Sequence, residues 1–198
     1  MLARLVAVVL AAAPASLNSR LSPATETKGG GWSRTLTFTD NAGEHVVKFE
    51  LTAPKTRKVV DADMEERARQ LTVVHTLKGK EVWRAKDFVE QCPFDLTLEF
   101  IDGSIEVTDL DADGEAEVSF LYQLACRSDV SPLTAKLLMY EGAAKYALRG
   151  TSRIRASETE FMGGDFTADP AFDKAPAQFR PFAEAKWKRL IVVAGEQP

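Results

Sequence analysis

Thr35-Leu36-Thr37-Phe38-Thr39, then Asn41-Ala42-Gly43, then Val46-Val47-Lys48-Phe49-Glu50-Leu51 is the stretch on which the fold reading turns. Polar and apolar residues alternate in both flanks, so each flank lays one set of side chains on one face of an extended strand. Gly43 supplies the positive φ that a tight reversal demands. The stretch predicts a β-hairpin.

The same grammar recurs downstream. Leu71 to Leu77 and Glu81 to Ala85 flank Lys78-Gly79-Lys80; Leu96 to Ile101 and Ser104 to Thr108 flank Asp102-Gly103; Lys136 to Tyr140 and Lys145 to Arg149 flank Glu141-Gly142. Gly43, Gly79, Gly103 and Gly142 are unevenly spaced, which argues against a repeat array. The expectation is a mainly β fold, an antiparallel meander of hairpins arranged as a sandwich or partial propeller. The end of the chain has a different period. From Ala177 to Val192, Phe179, Phe182, Ala183, Lys186, Trp187 and Leu190 fall at spacings of three and four, which predicts one C-terminal α-helix docked by its aromatic stripe. Pro181 fits its first turn, where a missing N–H costs little.

The N-terminus has the parts of an export signal: Arg4, the apolar run Leu5 to Ala13, and Ala13-Pro14-Ala15 as a small-residue cleavage pattern. This reading divides the chain into a signal peptide over 1–15, a flexible leader rich in Ser, Thr, Pro and Gly over 16–31, and one β-rich domain over 32–198. The apolar run is shorter than the roughly 20 residues of a spanning helix, so no membrane span is expected. The implied location is periplasmic or secreted. A chain of 198 residues with 45% hydrophobic content holds enough apolar surface for one continuous core. Its net charge of −4 argues against a nucleic-acid partner, which recruits clustered Lys and Arg. The local basic groups, Arg67, Arg69 and Lys186 to Arg189, read as solvated faces or a basic helix end.

Export makes a disulfide between Cys92 and Cys126 chemically permissible, and with two cysteines the pairing is forced. Closing the chain from 92 to 126 is worth roughly 4 kcal/mol on loop entropy. The alternatives are a zinc site or a reactive thiol. Zinc would need more ligands, and the two histidines, His45 and His75, lie far off in sequence.

The residues richest in chemistry are Asp109-Leu110-Asp111-Ala112-Asp113-Gly114-Glu115-Ala116-Glu117, between apolar runs ending at Val107 and starting at Val118. Calcium takes 6 to 8 oxygens, and carboxylates at alternate positions of a curling loop with a Gly at the sharp turn can supply them. Asp109, Asp111, Asp113, Glu115 and Glu117 are the candidate metal ligands, with Glu115 entering through its backbone carbonyl. The competing reading is a solvated acidic turn whose Asp side chains bond local N–H groups. The loop is not an EF-hand, because Phe120 stands where the bidentate Glu would fall and the flanks read as strands. With no nearby nucleophile or histidine in the loop, a bound calcium would be structural.

The acidic stretch resembles the calcium loops of FG-GAP and integrin-type β-propeller repeats, which share Asp-x-Asp-x-Asp-Gly-x-x-acid between strands. A wider resemblance runs over Cys92-Pro93-Phe94-Asp95-Leu96-Thr97-Leu98-Glu99-Phe100, the acidic loop, Phe120-Leu121-Tyr122, Ala125-Cys126-Arg127-Ser128-Asp129-Val130-Ser131-Pro132 and Leu137-Leu138-Met139-Tyr140-Glu141-Gly142. It is similar to small exported bacterial proteins labelled "surface polysaccharide biosynthesis protein". That family includes lipoproteins, whose acylated cysteine this chain lacks. The resemblance implies a process at the cell envelope rather than a defined reaction.

Arg127, Ser128 and Asp129 follow Cys126, so a bridge would pin them beside the acidic hairpin as candidate ligand-binding residues; the bland alternative is that they satisfy one another or the loop backbone. Trp32, Trp83 and Tyr122 could stack on sugar rings but sit in apolar strand patterns and read as core. Gly163-Gly164-Asp165-Phe166 reads as a turn. No Gly-x-Ser-x-Gly, His-Glu-x-x-His or phosphate-binding Gly loop is present. The sequence therefore points to an exported, non-catalytic binding or accessory protein of the cell envelope with a calcium-stabilised hairpin, partnered by carbohydrate or an envelope protein. The alternative is a hydrolytic, carbohydrate-active enzyme whose two carboxylates face across a cleft. With 29 acidic residues, composition does not choose such a pair.

Overall fold

Leu36 and Phe38 are buried together with Val47, Phe49 and Leu51, as the alternation requires. They lie on a hairpin of β-strands, Gly31–Asp40 and Gly43–Leu51, whose register runs from Trp32 opposite Leu51 to Asp40 opposite Gly43. The computed structural model describes residues 17–27, 29–59 and 64–191. The export signal expected over 1–15 lies outside the described residues.

Strands of the first sheet are β1 (Arg20–Leu21), β2 (Thr25–Thr27), β3 (Gly31–Asp40), β4 (Gly43–Leu51), β5 (Lys55–Lys58), β6 (Glu65–Leu77) and β7 (Lys80–Cys92). Their order is β1-β3-β4-β6, with β2 beside β3, β5 at one flank of β6 and β7 on the other. Strand pairing thus starts before Trp32, because Arg20–Leu21 and Thr25–Thr27 of the expected leader bond to β3. The β6–β7 hairpin turns through Lys78 and Gly79, both at positive φ (49° and 78°), the geometry that matches strand twist in a two-residue reversal.

The second sheet uses β8 (Asp95–Phe100), β9 (Glu106–Thr108), β10 (Glu117–Arg127), β11 (Thr134–Glu141) and β12 (Ala144–Thr151). After a small ribbon of β13 (Arg153–Arg155) with β14 (Phe161–Gly163), the strand β15 (Phe166–Ala168) returns to pair with β12. One expected hairpin is corrected. β8 and β9 do not pair across Asp102-Gly103; both run antiparallel to β10, β9 against Glu117 to Ser119 and β8 against Tyr122 to Arg127. The reason lies in the polar groups of the excursion, since the Ile101 N–H and the buried Ser104 hydroxyl both donate to the Leu121 carbonyl of β10.

Two layers of core follow from β10, whose residues are buried on both faces from Glu117 to Gln123. Val118, Phe120 and Tyr122 meet the first sheet, where Phe120 packs edge-on against Phe49 at 5.4 Å. Leu121, with Leu137 and Met139 of β11, meets α1 (Phe179–Leu190) through Phe179, Ala183 and Trp187. The architecture of the described residues is therefore sheet, sheet and helix, mainly antiparallel β with a single C-terminal α-helix. Burying a Trp such as Trp187 completely is the kind of contact whose removal costs about 3–5 kcal/mol. The Trp187 indole N–H donates to the Gly164 carbonyl at 2.8 Å, so the Gly163-Gly164 turn serves as a helix dock.

Two basic groups read as solvated turn inward. Lys186 is buried, donating to Glu106 Oε2 at 2.9 Å and Ser119 Oγ at 2.8 Å. Arg69 donates to the carbonyls of Thr52, Leu98 and Gly30 and so ties the two sheets together. Cys92 at the end of β7 and Cys126 in β10 form a disulfide with Cα atoms 5.5 Å apart. It joins one sheet to the other, covalently closing the sandwich near the β7–β8 crossover.

Candidate metal centre

The acidic stretch is the connection of the β9–β10 hairpin, with Thr108 and Glu117 as its last paired residues. Its backbone curls tightly: Ala112 and Gly114 have φ of 61° and 87°. Gly114 is required twice over, because a Cβ there would also stand 1.9 Å from the Asn41 side chain. Asn41 belongs to the β3–β4 turn, and its N–H donates to the Gly114 carbonyl at 3.0 Å. The neighbouring Asp40 carboxylate accepts the Ala116 N–H at 3.0 Å. The first sheet thus clamps the loop.

The curl gathers carboxylates into two groups whose ligand atoms lie within 4.8 Å of one another: Asp109, Asp111 and Glu117, and Asp111, Asp113 and Glu141. Asp111 is common to both. Glu141 comes from the far end of β11, directly opposite Glu117 in the ladder. Among the described residues, three oxygens in this cluster, Asp109 Oδ1, Asp111 Oδ1 and Glu141 Oε1, are buried without a hydrogen-bond donor. Asp109 itself is only 3% exposed. A buried carboxylate oxygen without a donor or a cation is costly.

Glu117 is fully buried and accepts from Thr108 Oγ1 at 2.7 Å and from the Leu110 N–H at 3.1 Å. Burial pushes its carboxyl up to about 7, with Asp111 adding to the rise and the two donors opposing it. Burial likewise pushes Glu141 up to about 7, reinforced by Asp111, Asp113, Glu117 and Glu115. The cluster is acidic beyond what its protein surroundings neutralise, and a cation or protons would relieve it.

No family model, curated protein or solved structure matches the chain.

Of the sequence-predicted ligands, Asp109, Asp111, Asp113 and Glu117 converge. The Glu115 side chain is exposed and lies in neither carboxylate group, while its N–H donates to Asp113 Oδ1 at 2.7 Å. Glu141 was missed because its ligand role depends on β11 lying beside β10, a long-range pairing with no local signature. Arg127, Ser128 and Asp129 are not drawn to the cluster. Asp129 is exposed and accepts the N–H and hydroxyl of Ser131, which hold its carboxyl below the usual range, while Arg127 Nη1 is buried without an acceptor. Trp32, Trp83 and Tyr122 belong to the core between the sheets.

Behind the loop clamp runs a chain the sequence reading did not pick out. Asp40 Oδ1 meets His45 Nε2 at 2.8 Å, and His45 Nδ1 meets His75 Nε2 at 2.8 Å. Burial alone would raise the Asp40 carboxyl, but the Ala116 N–H, the His45 ring and the Ala42 N–H outweigh it and hold the group low. Burial, then the neighbouring His45, pushes His75 down to about 4. A His45 ring with its proton on Nε2 would donate to Asp40 and accept the His75 Nε2–H at Nδ1. The chain orients Asp40 and so fixes the loop, a supporting role for the candidate ligands. No local spacing could show it, since His45 and His75 meet only through the β4–β6 pairing.

Proposed function

We propose that the protein is an exported, calcium-stabilised β-sandwich acting as a binding or accessory component of the cell envelope, with a process linked to surface polysaccharide. The observation that carries the calcium reading is the set of three donor-less buried oxygens on Asp109, Asp111 and Glu141, in a cluster that converges from two hairpins. Oxygen-only ligands suit a hard cation, and a loop of flexible carboxylates suits calcium over the smaller, stricter magnesium. The envelope role is supported by the resemblance over Cys92 to Gly142 and by the export pattern of residues 1–15. The cross-sheet disulfide agrees with an oxidising compartment. Among the described residues no helix is long and apolar enough to cross a membrane.

The geometry gives less to the hydrolytic alternative. Glu117, one of the two carboxyls held near 7, is fully buried and bonded to Thr108, so it offers no face to a substrate. Native mass spectrometry after chelation and calcium readdition tests the metal reading: one added calcium per chain is expected, and none would overturn it. Fractionation of cells making the chain with and without residues 1–15 tests export, with retention of the shortened chain inside the cell as the expected result.

A further inference from the structure

The opposite end of the second sheet carries the opposite charge on its opposite face. Tyr122, Lys136 and Arg149 form one row across β10, β11 and β12, with Tyr122 paired to Lys136 and Lys136 paired to Arg149. The row continues the face on which Phe120, Leu138 and Ala147 pack against the first sheet. Apolar residues are the rule at such positions, and two cations directly opposite one another in a ladder repel. Local rules broken this way mark functional or strained positions.

Asp87 reaches the row from β7 of the facing sheet, with its Oδ2 accepting from Lys136 Nζ at 2.5 Å and from the Tyr122 hydroxyl at 2.8 Å. Around it the sheets part into a cleft of about 290 Å³, also lined by Arg84, Lys86, Lys145 and Arg149. Glu81 engages Arg84 and Asp169 engages Arg149 at the rim. Among the described residues neither Lys86 nor Lys145 has an ion-pair partner. Burial, then Arg149 and Lys136, lower the Lys145 ammonium from its usual value, against the pull of Asp169. Within the cleft the Asp87 carboxylate faces Lys136, Lys145 and Arg149, while Arg84 and Lys86, at alternate positions of β7, line its rim.

We propose that this cleft binds a phosphoryl group, as the free ion or as an ester. The argument is one of charge and donor count. Lys136, Lys145 and Arg149 of the second sheet bring ammonium and guanidinium donors to one cleft, and a tetrahedral oxyanion offers three or four acceptor oxygens where a carboxylate offers two. Asp87 does not compete for all of them, because Lys136 and Tyr122 already occupy it. The cleft also has room for a small group attached to the anion.

Calorimetric titration of the oxidised full chain, in calcium-free buffer at constant ionic strength, would use inorganic phosphate and glycerol 3-phosphate as separate probes. Comparison proteins are the double variant Lys86→Gln/Lys145→Gln, which removes no ion pair, and Asp87→Asn, which keeps the acceptor and removes the repelling charge. Saturable one-to-one binding is expected, weakened at least tenfold in the double variant and tightened severalfold in Asp87→Asn. Tighter binding of the ester would identify the ligand as an ester, and equal binding as the free ion. No saturable binding of either probe, or the same affinity in all three proteins, overturns the proposal.

Discussion

Glu117 and Glu141 face each other directly across the β10–β11 ladder, two carboxylates in a position where sheets ordinarily place apolar or oppositely charged pairs. One is fully buried and the other half-buried, and both carboxyls are pushed up to about 7. The pair sets carboxylates side by side that a cation or protons would neutralise.

Glu141→Gln should separate stability from binding. In chelator at pH 8 the variant should be more stable than the parent by about 1 kcal/mol, because one of two opposed charges is gone. With calcium the order should reverse, since a ligand is lost. Urea unfolding in both conditions checks the crossing.

The same pair fixes a pH dependence. The folded-state values near 7 lie above the ordinary 4.5, so between those limits the folded chain holds protons that the unfolded chain has released. The stability of the chelated protein should therefore fall as pH rises from about 4.5 to about 7, by roughly 3 kcal/mol from the buried Glu117. On the calcium reading the ion is held by the ionised form and should abolish the loss. His75, lowered to about 4, has the opposite sign: its stabilisation is complete above 6.5 and is lost as pH falls toward 4. That contribution is common to both conditions. The difference between calcium and chelator melts isolates the carboxylates.

Asp40→Ala removes the acceptor of the Ala116, Ala42 and Gly43 N–H groups and of the His45 ring. Hydrogen bonds to a charged group contribute about 1.5–3 kcal/mol each, so a loss of at least 2 kcal/mol in unfolding free energy is expected. Calcium affinity should drop as well, although Asp40 is not among the grouped carboxylates. A variant as tight as the parent would show that the clamp has no bearing on the loop.

Much of this was readable in advance, and the failures have a common cause. The hairpins at 35–51, 71–85 and 136–149 were legible because each is closed by a local turn, and the helix because its stripe is periodic. The Cys92–Cys126 bridge followed from there being two cysteines. Asp109, Asp111, Asp113 and Glu117 were legible because one short loop carries them all. Glu141, the Asp40–His45–His75 chain and the Lys136–Arg149 row were not, since each exists only through strand pairing at long range. The β8–β9 turn misled for the same reason, its polar groups bonding to a third strand.

Removing the disulfide with Cys92→Ala/Cys126→Ala should cost about 2–5 kcal/mol, as it is the covalent tie between the sheets near the crossover. Denaturant unfolding of the double variant against the oxidised parent measures it.

The central claim is tested most directly by calorimetric calcium titration of the chelated, oxidised protein, with Asp111→Ala in parallel. Asp111 is the residue shared by both carboxylate groups, so its loss dismantles the whole centre. One saturable site, a raised unfolding temperature and the disappearance of both in the variant is the predicted result. No heat and no shift at millimolar calcium would contradict it.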